Sequence, residues 1–541
     1  MLPASAPFVR SDPLRRSLPL AAALAFAAAL SAPAQEPRLP DIGSSAGEVL
    51  PPARQAEYGA MLLSQLRHYD YVLEDPLLED WLQGVGQRLA ASSDQPRRDF
   101  TFFLLKEREI NAFATLGGYI GMNAGLILAA EREDQVASVL AHEIAHVTQD
   151  HVLRAVERAQ RERIPILLAT IAAIAVAQGA ASENSQDDAA LAAAAIGQGL
   201  MVQRQIDYTR SNEAEADRIG IQNLARAGYD PHAAAEFFST LQAAVRVNRG
   251  GERERVPDYL QTHPVTTLRI SEARERAARL QGQSGFSVGT NASDNPLLPS
   301  GLRLPGSAAL ARGGSGQFGW ARERLRVLSA NTPAQAIREY EAMREKGPLD
   351  DARRYGLAVA RLRAGQAGAA AEDLAALLAR HPGDLWLTLA LAEAEARAGR
   401  SEAADRRFET LLARMPDNRA AALTYAQVLA ERGNAEAGRR AQTVLRPLAT
   451  TGAAQDPLYQ RTLARVSELA GDPVRAGEAW AEAEFLNGRP ERALVQLETL
   501  KKRQDLDYYA RARIEARIAA ITPTVLELRR QGIRDEELRR R

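Results

Sequence analysis

The sequence predicts a mainly α-helical protein in two parts: an α+β domain with a small sheet packed around one motif-bearing helix, then an α-solenoid of paired helices. Three observations carry this expectation. Residues from Glu133 to about Arg163 read as one long helix enclosing His142-Glu143-Ile144-Ala145-His146. Two short apolar runs, Phe100 to Leu105 and Tyr119 to Leu128, are separated by the turn signal Gly117-Gly118, as strands are. Further on, Gly365, Gly399 and Gly433 stand 34 residues apart, as do Pro382 and Pro416.

The first residues have the layout of an export signal. Arg10, Arg15 and Arg16 form a basic region, Leu18 to Leu30 an apolar run, and Ala32-Pro33-Ala34 a small-x-small cleavage site. Residues 1–34 are therefore expected to be a signal peptide cut after Ala34. The rival reading, an uncleaved anchor, has an apolar run shorter than the roughly 20 residues needed to span a bilayer. Leu50 to Ser92 then reads as helical, with Leu77, Leu78, Trp81, Leu82, Val85 and Leu89 at helix spacing on a core face. The motif helix is opened by acidic residues that suit its positive end. Ile164 to Met201 reads as an Ala-rich helical hairpin, interrupted by Gln178-Gly179 and Gly197-Gln198-Gly199, that can act as a mobile gate; a membrane-dipping reading is the alternative, weakened by Pro165 and by Ala in place of Leu. These elements make a first domain over residues 35–284.

Gly, Ser, Asn and Pro dominate from Gly285 to Gly319 without sustained periodicity, which marks a linker over 285–319. The helical domain occupies 320–541. Its period of 34, with Gly between paired helices and Pro at the end of a unit, is that of tetratricopeptide repeats. Ala-Gly-Gln-Ala-Gly-Ala-Ala at 364–370 parallels Ala-Gly-Arg-Ser-Glu-Ala-Ala at 398–404, and Gly471 and Gly488 are later turn candidates.

Composition narrows the chemistry. The 68 basic and 68 acidic residues cancel, so the charge excess that phosphate binding draws on is missing and no nucleic-acid partner is expected. With no cysteine, disulfides, thiol catalysis, Cys-based zinc sites and attachment of lipid to an N-terminal Cys are excluded together. A metal site must use His, Asp and Glu.

His142 and His146 are four apart on a helix, so both imidazoles face one ion while Glu143 lies beside it, a base next to a metal-bound water. A catalytic zinc needs a third protein ligand and an open position. Downstream, Glu213 and Asp217 again share a helical face, making Glu213 the third ligand and Asp217 an acceptor for the non-ligating nitrogen of a zinc-bound His. Glu215 is expected to point away. His151, five residues past His146 on the same expected helix, reads as structural, and nothing singles out His68, His232 or His381.

The pairing of His142-Glu143-x-x-His146 with Glu213-x-x-x-Asp217, preceded by Asn111-Ala112-Phe113-Ala114 and Gly117-Gly118-Tyr119-Ile120, resembles the HtpX and CAAX-protease family of zinc gluzincins. Leu39-Pro40-Asp41-Ile42-Gly43, Thr262-His263-Pro264 and the C-terminal repeats are similar to its BepA-like subgroup. The resemblance implies a zincin-type peptidase domain holding one Zn2+ per chain on His142, His146 and Glu213, with Glu143 as general base. It implies further that Asn111 to Met122 forms an edge strand beside the cleft, so that Asn111, Ala112, Phe113, Ala114, Gly117 and Gly118 bind an extended substrate through main-chain hydrogen bonds. His263, read alone, is as compatible with a structural turn; the resemblance brings it to the metal, either in the water's position in a latent state or as an oxyanion stabiliser.

The expected function is that of a periplasmic zinc metalloendopeptidase acting on unfolded or misassembled proteins. The resemblance places it in outer-membrane β-barrel protein quality control, with the repeats contacting the barrel-assembly machinery and any membrane association peripheral. The rival is a chaperone or scaffold for outer-membrane protein assembly with a largely latent zinc site; a cell-wall peptide hydrolase is weaker, since nothing in the chain suggests glycan binding.

Overall fold

The computed structural model describes residues 50–161, 210–248, 259, 263–283 and 314–530. The expected signal peptide, the Leu39–Gly43 motif, the 164–201 hairpin, Thr262 and linker residues 285–313 lie outside the described residues. Two helices open the described fold, α1 (Pro52–His68) and α2 (Pro76–Ala91), each with a proline in its first turn, where no intrahelical N–H is needed. Asp75 caps α2 by accepting the Leu78 N–H, and the apolar face expected there is buried. No helix among the described residues is long and apolar enough to cross a membrane.

The sheet has three strands, β1 (Thr101–Leu105), β2 (Ala112–Ala114) and β3 (Tyr119–Asn123), in the order β1-β3-β2. β1 runs parallel to β3, pairing Phe102 with Ile120, and β2 runs antiparallel to it, pairing Ala112 with Met122. This corrects the single edge strand expected over Asn111 to Met122: only Ala112–Ala114 lies at an edge, and β3 is central because β1 joins its other side. The outer side of β1 is itself covered, since Leu73 N–H donates to the Leu104 carbonyl and Lys106 N–H to that of Tyr71. Between β2 and β3 the chain turns at Leu116–Gly118 with φ of 73° at Gly117 and 80° at Gly118. A Cβ at Gly118 would lie 2.2 Å from the Asp99 carbonyl oxygen, so only glycine fits there. The apolar run to Leu128 also divides, because the strand ends at Asn123 and Ala124–Ala129 forms the short helix α3.

The motif helix is shorter than its pattern suggests. α4 (Glu133–Thr148) ends before the break, Asp150 adopts φ of 52°, and α5 (His151–Arg161) starts afresh. Arg98 holds the break by donating to Asp150 Oδ1 at 3.0 Å. Three helices complete this part: α6 (Arg210–Arg226), α7 (His232–Asn248) and α8 (Thr267–Gln283). α6 lies against α4 at the motif itself, and Gly220 permits it, since a Cβ there would sit 3.1 Å from His142 Cα.

Helix pairs follow: α9 (Phe318–Leu328) with α10 (Pro333–Lys346), α11 (Asp351–Arg363) with α12 (Ala367–Arg380), α13 (Leu385–Arg397) with α14 (Ser401–Arg414), and α15 (Arg419–Glu431) with α16 (Ala435–Leu445). Two more pairs close the array, α17 (Pro457–Ala470) with α18 (Pro473–Leu486) and α19 (Pro490–Lys501) with α20 (Tyr508–Arg530). The repeat is visible in the caps. Asp350, Asp384 and Asn418 each accept the N–H three residues on, and Gly365, Gly399 and Gly433 each take the left-handed conformation between partners. The protein is thus mainly helical, with a small sheet and a helical-repeat solenoid.

The two parts share one core, in which buried Leu77, Leu140, Trp320, Trp386 and Leu463 belong to one contiguous cluster. Polar contacts fix the seam. The partly buried Arg324 of α9 donates to both oxygens of Asp75, Arg108 reaches Glu339 at 2.5 Å, and Arg419 reaches Glu79 at 2.6 Å. Glu133, at the start of the motif helix, accepts from Trp81 Nε1 at 3.0 Å and from the Ser315 N–H at 2.8 Å, so the approach to the solenoid is tied to α4.

His68 lies in this seam, accepting from Arg489 Nε at 3.1 Å. Burial, then Arg489 and Arg492, hold its ring down at about 4 instead of 6.5. The unfolded chain therefore takes up this proton first as pH falls, so stability present above pH 6.5 is lost progressively toward pH 4. The expected loss, discounted for partial exposure, is on the order of 2 kcal/mol. Denaturant unfolding at pH 7.5 and 5 should show a smaller pH difference in His68→Gln than in the native protein; equal differences would refute the assignment.

Candidate metal centre

On α4, His142 and His146 are one turn apart and buried, with their Nε2 atoms 3.0 Å from each other. α6 brings Glu213 across, Oε1 lying 3.4 Å from His146 Nε2 and Oε2 3.5 Å from His142 Nε2. The turn before α8 adds His263, whose Nδ1 is 2.9 Å from Glu213 Oε1 and 3.4 Å from His142 Nε2. One donor atom from each of the four lies within 4.8 Å of the others. A tetrahedral shell with ligand distances of about 2.0–2.2 Å has edges of about 3.3–3.6 Å, so two imidazoles, a carboxylate and a third imidazole fit a divalent cation of the zinc type.

The surrounding charges suit a cation. Burial opposes ionisation of Glu213, but His263, His142 and His146 outweigh it and hold the carboxyl well below its usual range. Asp217 is held low in the same way, against burial, by His142 and Arg269. Its Oδ1 lies 3.0 Å from His142 Nδ1, on the side of the ring away from the donor cluster. Burial disfavours charge on His142 as well, yet Asp217 and Glu213 push that ring up to about 10, whereas burial keeps His146 well below the ordinary value. A ligating imidazole must offer a lone pair, so metal uptake would displace any proton on the ligating nitrogen of either ring.

Glu143 is fully buried beside the cluster, Oε1 3.8 Å from His263 Nε2, and neither of its oxygens is hydrogen-bonded to another side chain. Burial pushes its carboxyl up, the His263 and His142 rings pull it back, and the Ala114 main chain faces it. A general base is matched to its task by such an upward shift. The same contact sets the edge strand beside the base. In β2 the side chains of Ala112 and Ala114 are buried, while Phe113 points to the opposite face, its ring 5.9 Å from that of Phe103. Among the described residues β2 pairs with no strand on its other side. Asn111 leads into it, its carbonyl accepting the Asn123 N–H. Gly117 and Gly118 sit in the following turn, pressed on α1 and Asp99.

Two features escaped the sequence reading. Arg269 of α8, buried, donates to Asp217 through Nε at 2.7 Å and Nη2 at 2.8 Å, and Nη1 reaches Glu213 Oε2 at 2.9 Å. It also donates to the Pro264 carbonyl, so one guanidinium ties both carboxylates to the turn that carries His263. His151 is the other. It belongs to a separate helix, and its Nδ1 lies 2.8 Å from His146 Nδ1 while Nε2 lies 3.1 Å from Glu215 Oε2. Glu215 does point away from the four donors, but toward His151.

Residues 76–277 match the model of peptidase family M48. A Vibrio cholerae protein provisionally named beta-barrel assembly-enhancing protease is 42% identical over 239 residues, 44% of this chain and 47% of its own length. The Escherichia coli K12 beta-barrel assembly-enhancing protease is 33% identical over 355 residues, 64% of each chain. A mitochondrial metalloendopeptidase of Schizosaccharomyces pombe is 26% identical over 195 residues, 36% of this chain and 52% of its own. The chain thus spans between about half and just under two thirds of the length of these curated relatives.

Proposed function

We propose, from the premise that this chain carries a peptidase family M48 domain, that it is a zinc-dependent endopeptidase of the periplasm acting on misfolded or misassembled proteins in outer-membrane β-barrel quality control. The observation that carries the reading is the buried His142, His146, Glu213 and His263 cluster with Glu143 against it. His142, His146 and Glu213 would hold the ion. A zinc bound there would supply a water of lowered pKa, about 7, and polarisation of a scissile carbonyl. Glu143 takes the proton of the attacking water and passes it to the leaving amine. Asp217 and Arg269 fix the orientation of His142 and Glu213. Substrate adds to the edge of β2 in extended form, placing its main chain beside Glu143, and recognition through backbone groups leaves sequence preference broad.

The setting is supported by the relatives named beta-barrel assembly-enhancing protease and by the export-signal pattern at the N-terminus. The solenoid, read as tetratricopeptide repeats, recruits partners of the barrel-assembly machinery, as helical-repeat surfaces do. Digestion of an unfolded outer-membrane β-barrel protein is the test. Fragments should appear with zinc, disappear with a chelator and be far fewer from the folded barrel; undiminished cleavage under chelation would refute a zinc mechanism.

The position of His263 favours a second, compatible reading, in which the site rests latent. Were His263 to ligate beside His142, His146 and Glu213, four protein donors would match a structural zinc site and leave no position for water. His263→Ala should then raise peptidase activity severalfold at unchanged zinc content. If the ring instead stabilises the developing oxyanion, the same variant should lose about 10²-fold or more in kcat.

A further inference from the structure

We propose that His151, backed by Glu215, is a positioning residue for His146, orienting one ligand of the metal centre through a relay of two imidazoles and a carboxylate. The inference rests on the metal-centre reading above. His146 turns Nε2 to the donor cluster, so as a ligand it must carry its proton on Nδ1. The atom facing Nδ1 at 2.8 Å is His151 Nδ1, which must then offer its lone pair. That places the His151 proton on Nε2, aimed at Glu215 Oε2 at 3.1 Å. The hydrogen bonds run one way, His146 to His151 to Glu215, and neither ring has an alternative tautomer that keeps both bonds.

The backbone is built for this contact. On an uninterrupted helix a residue five places on would lie well off the His146 face. The left-handed Asp150, held by Arg98, ends α4 and restarts the chain so that His151 turns back with its ring at 72° to that of His146 and no exposed surface. Arg154, from the next turn, lies 3.7 Å from Glu215 and donates to the Gln149 carbonyl, bracing both sides of the break. The two ligand imidazoles are therefore held differently: His142 by a carboxylate directly, His146 through a second ring.

Zinc affinity measured by chelator competition, on protein checked for native helix content, tests the relay. His151→Phe, which keeps bulk but has no acceptor, should bind zinc about 10- to 100-fold more weakly. His151→Asn, whose Oδ1 falls where Nδ1 was, should recover most of that loss, and the visible spectrum of the Co2+-substituted protein should shift in the Phe variant alone. Should His151→Phe fail to fold, Glu215→Ala, on a partly exposed side chain, reads the same relay. A loss of about threefold to tenfold supports it and unchanged affinity overturns it. Native protein that binds zinc while His151→Phe binds it equally well also overturns the relay. Native protein that binds no zinc refutes the metal-centre reading and the relay with it.

Discussion

Glu143→Gln is expected to leave the fold and the zinc content unchanged and to lower kcat for peptide hydrolysis by about 10²–10⁴-fold. The substitution is nearly isosteric in a fully buried site, so packing against the Ala114 main chain and the His263 ring is kept. What is lost is the ability to accept a proton. The amide is also neutral, which suits a position where burial already disfavours charge, and the variant should be at least as stable as the native protein. KM should change little if, as proposed, the edge of β2 rather than this side chain binds the substrate. Steady-state kinetics on a fluorogenic peptide, with zinc content measured on the same samples, decides the matter: wild-type kcat in a zinc-loaded Glu143→Gln protein would remove Glu143 from the reaction.

Glu213→Ala should have the largest effect on the metal centre, reducing bound zinc to a small fraction of one per chain under conditions that saturate the native protein. The carboxylate is the contribution of α6 to the donor cluster and also accepts the Arg269 guanidinium at 2.9 Å. Its removal leaves that buried arginine paired with Asp217 alone. Breaking one side of a buried charge network costs about 3–5 kcal/mol when the remaining charge is stranded. With Asp217 still in place, the metal-free variant should sit at the lower end, about 3 kcal/mol below the metal-free native protein. Denaturant unfolding of the two chelated proteins measures this, and equal stabilities would show that the network adds nothing beyond metal binding.

What could be read from the sequence was local or periodic. His142 with His146, and Glu213 with Asp217, are spaced by one helical turn, so their shared faces follow from helix geometry without the fold. The glycines at 365, 399 and 433 repeat because each closes the same turn between partner helices, and the N-caps at Asp350, Asp384 and Asn418 keep the same register. The features that were missed are set by distant partners. Arg269 has no signature in its own segment, and its role comes from carboxylates about fifty residues earlier. The sequence pattern puts His151 on one long helix with the motif because no Gly or Pro marks the break; the positive φ at Asp150 is accompanied by a contact from Arg98, from before the sheet. The central place of β3 likewise follows from parallel pairing with β1, which no turn signal announces. The seam between the motif-bearing part and the solenoid rests on Arg324 and Asp75, two ordinary surface residue types until they meet.

Zinc stoichiometry tests the metal centre most directly, measured by elemental mass spectrometry on native protein and on the His142→Ala/His146→Ala double variant after zinc loading and desalting. The native protein is expected to carry one zinc per chain and the variant essentially none. A native protein without zinc, or a variant that retains it, would contradict the assignment of the metal centre to these residues.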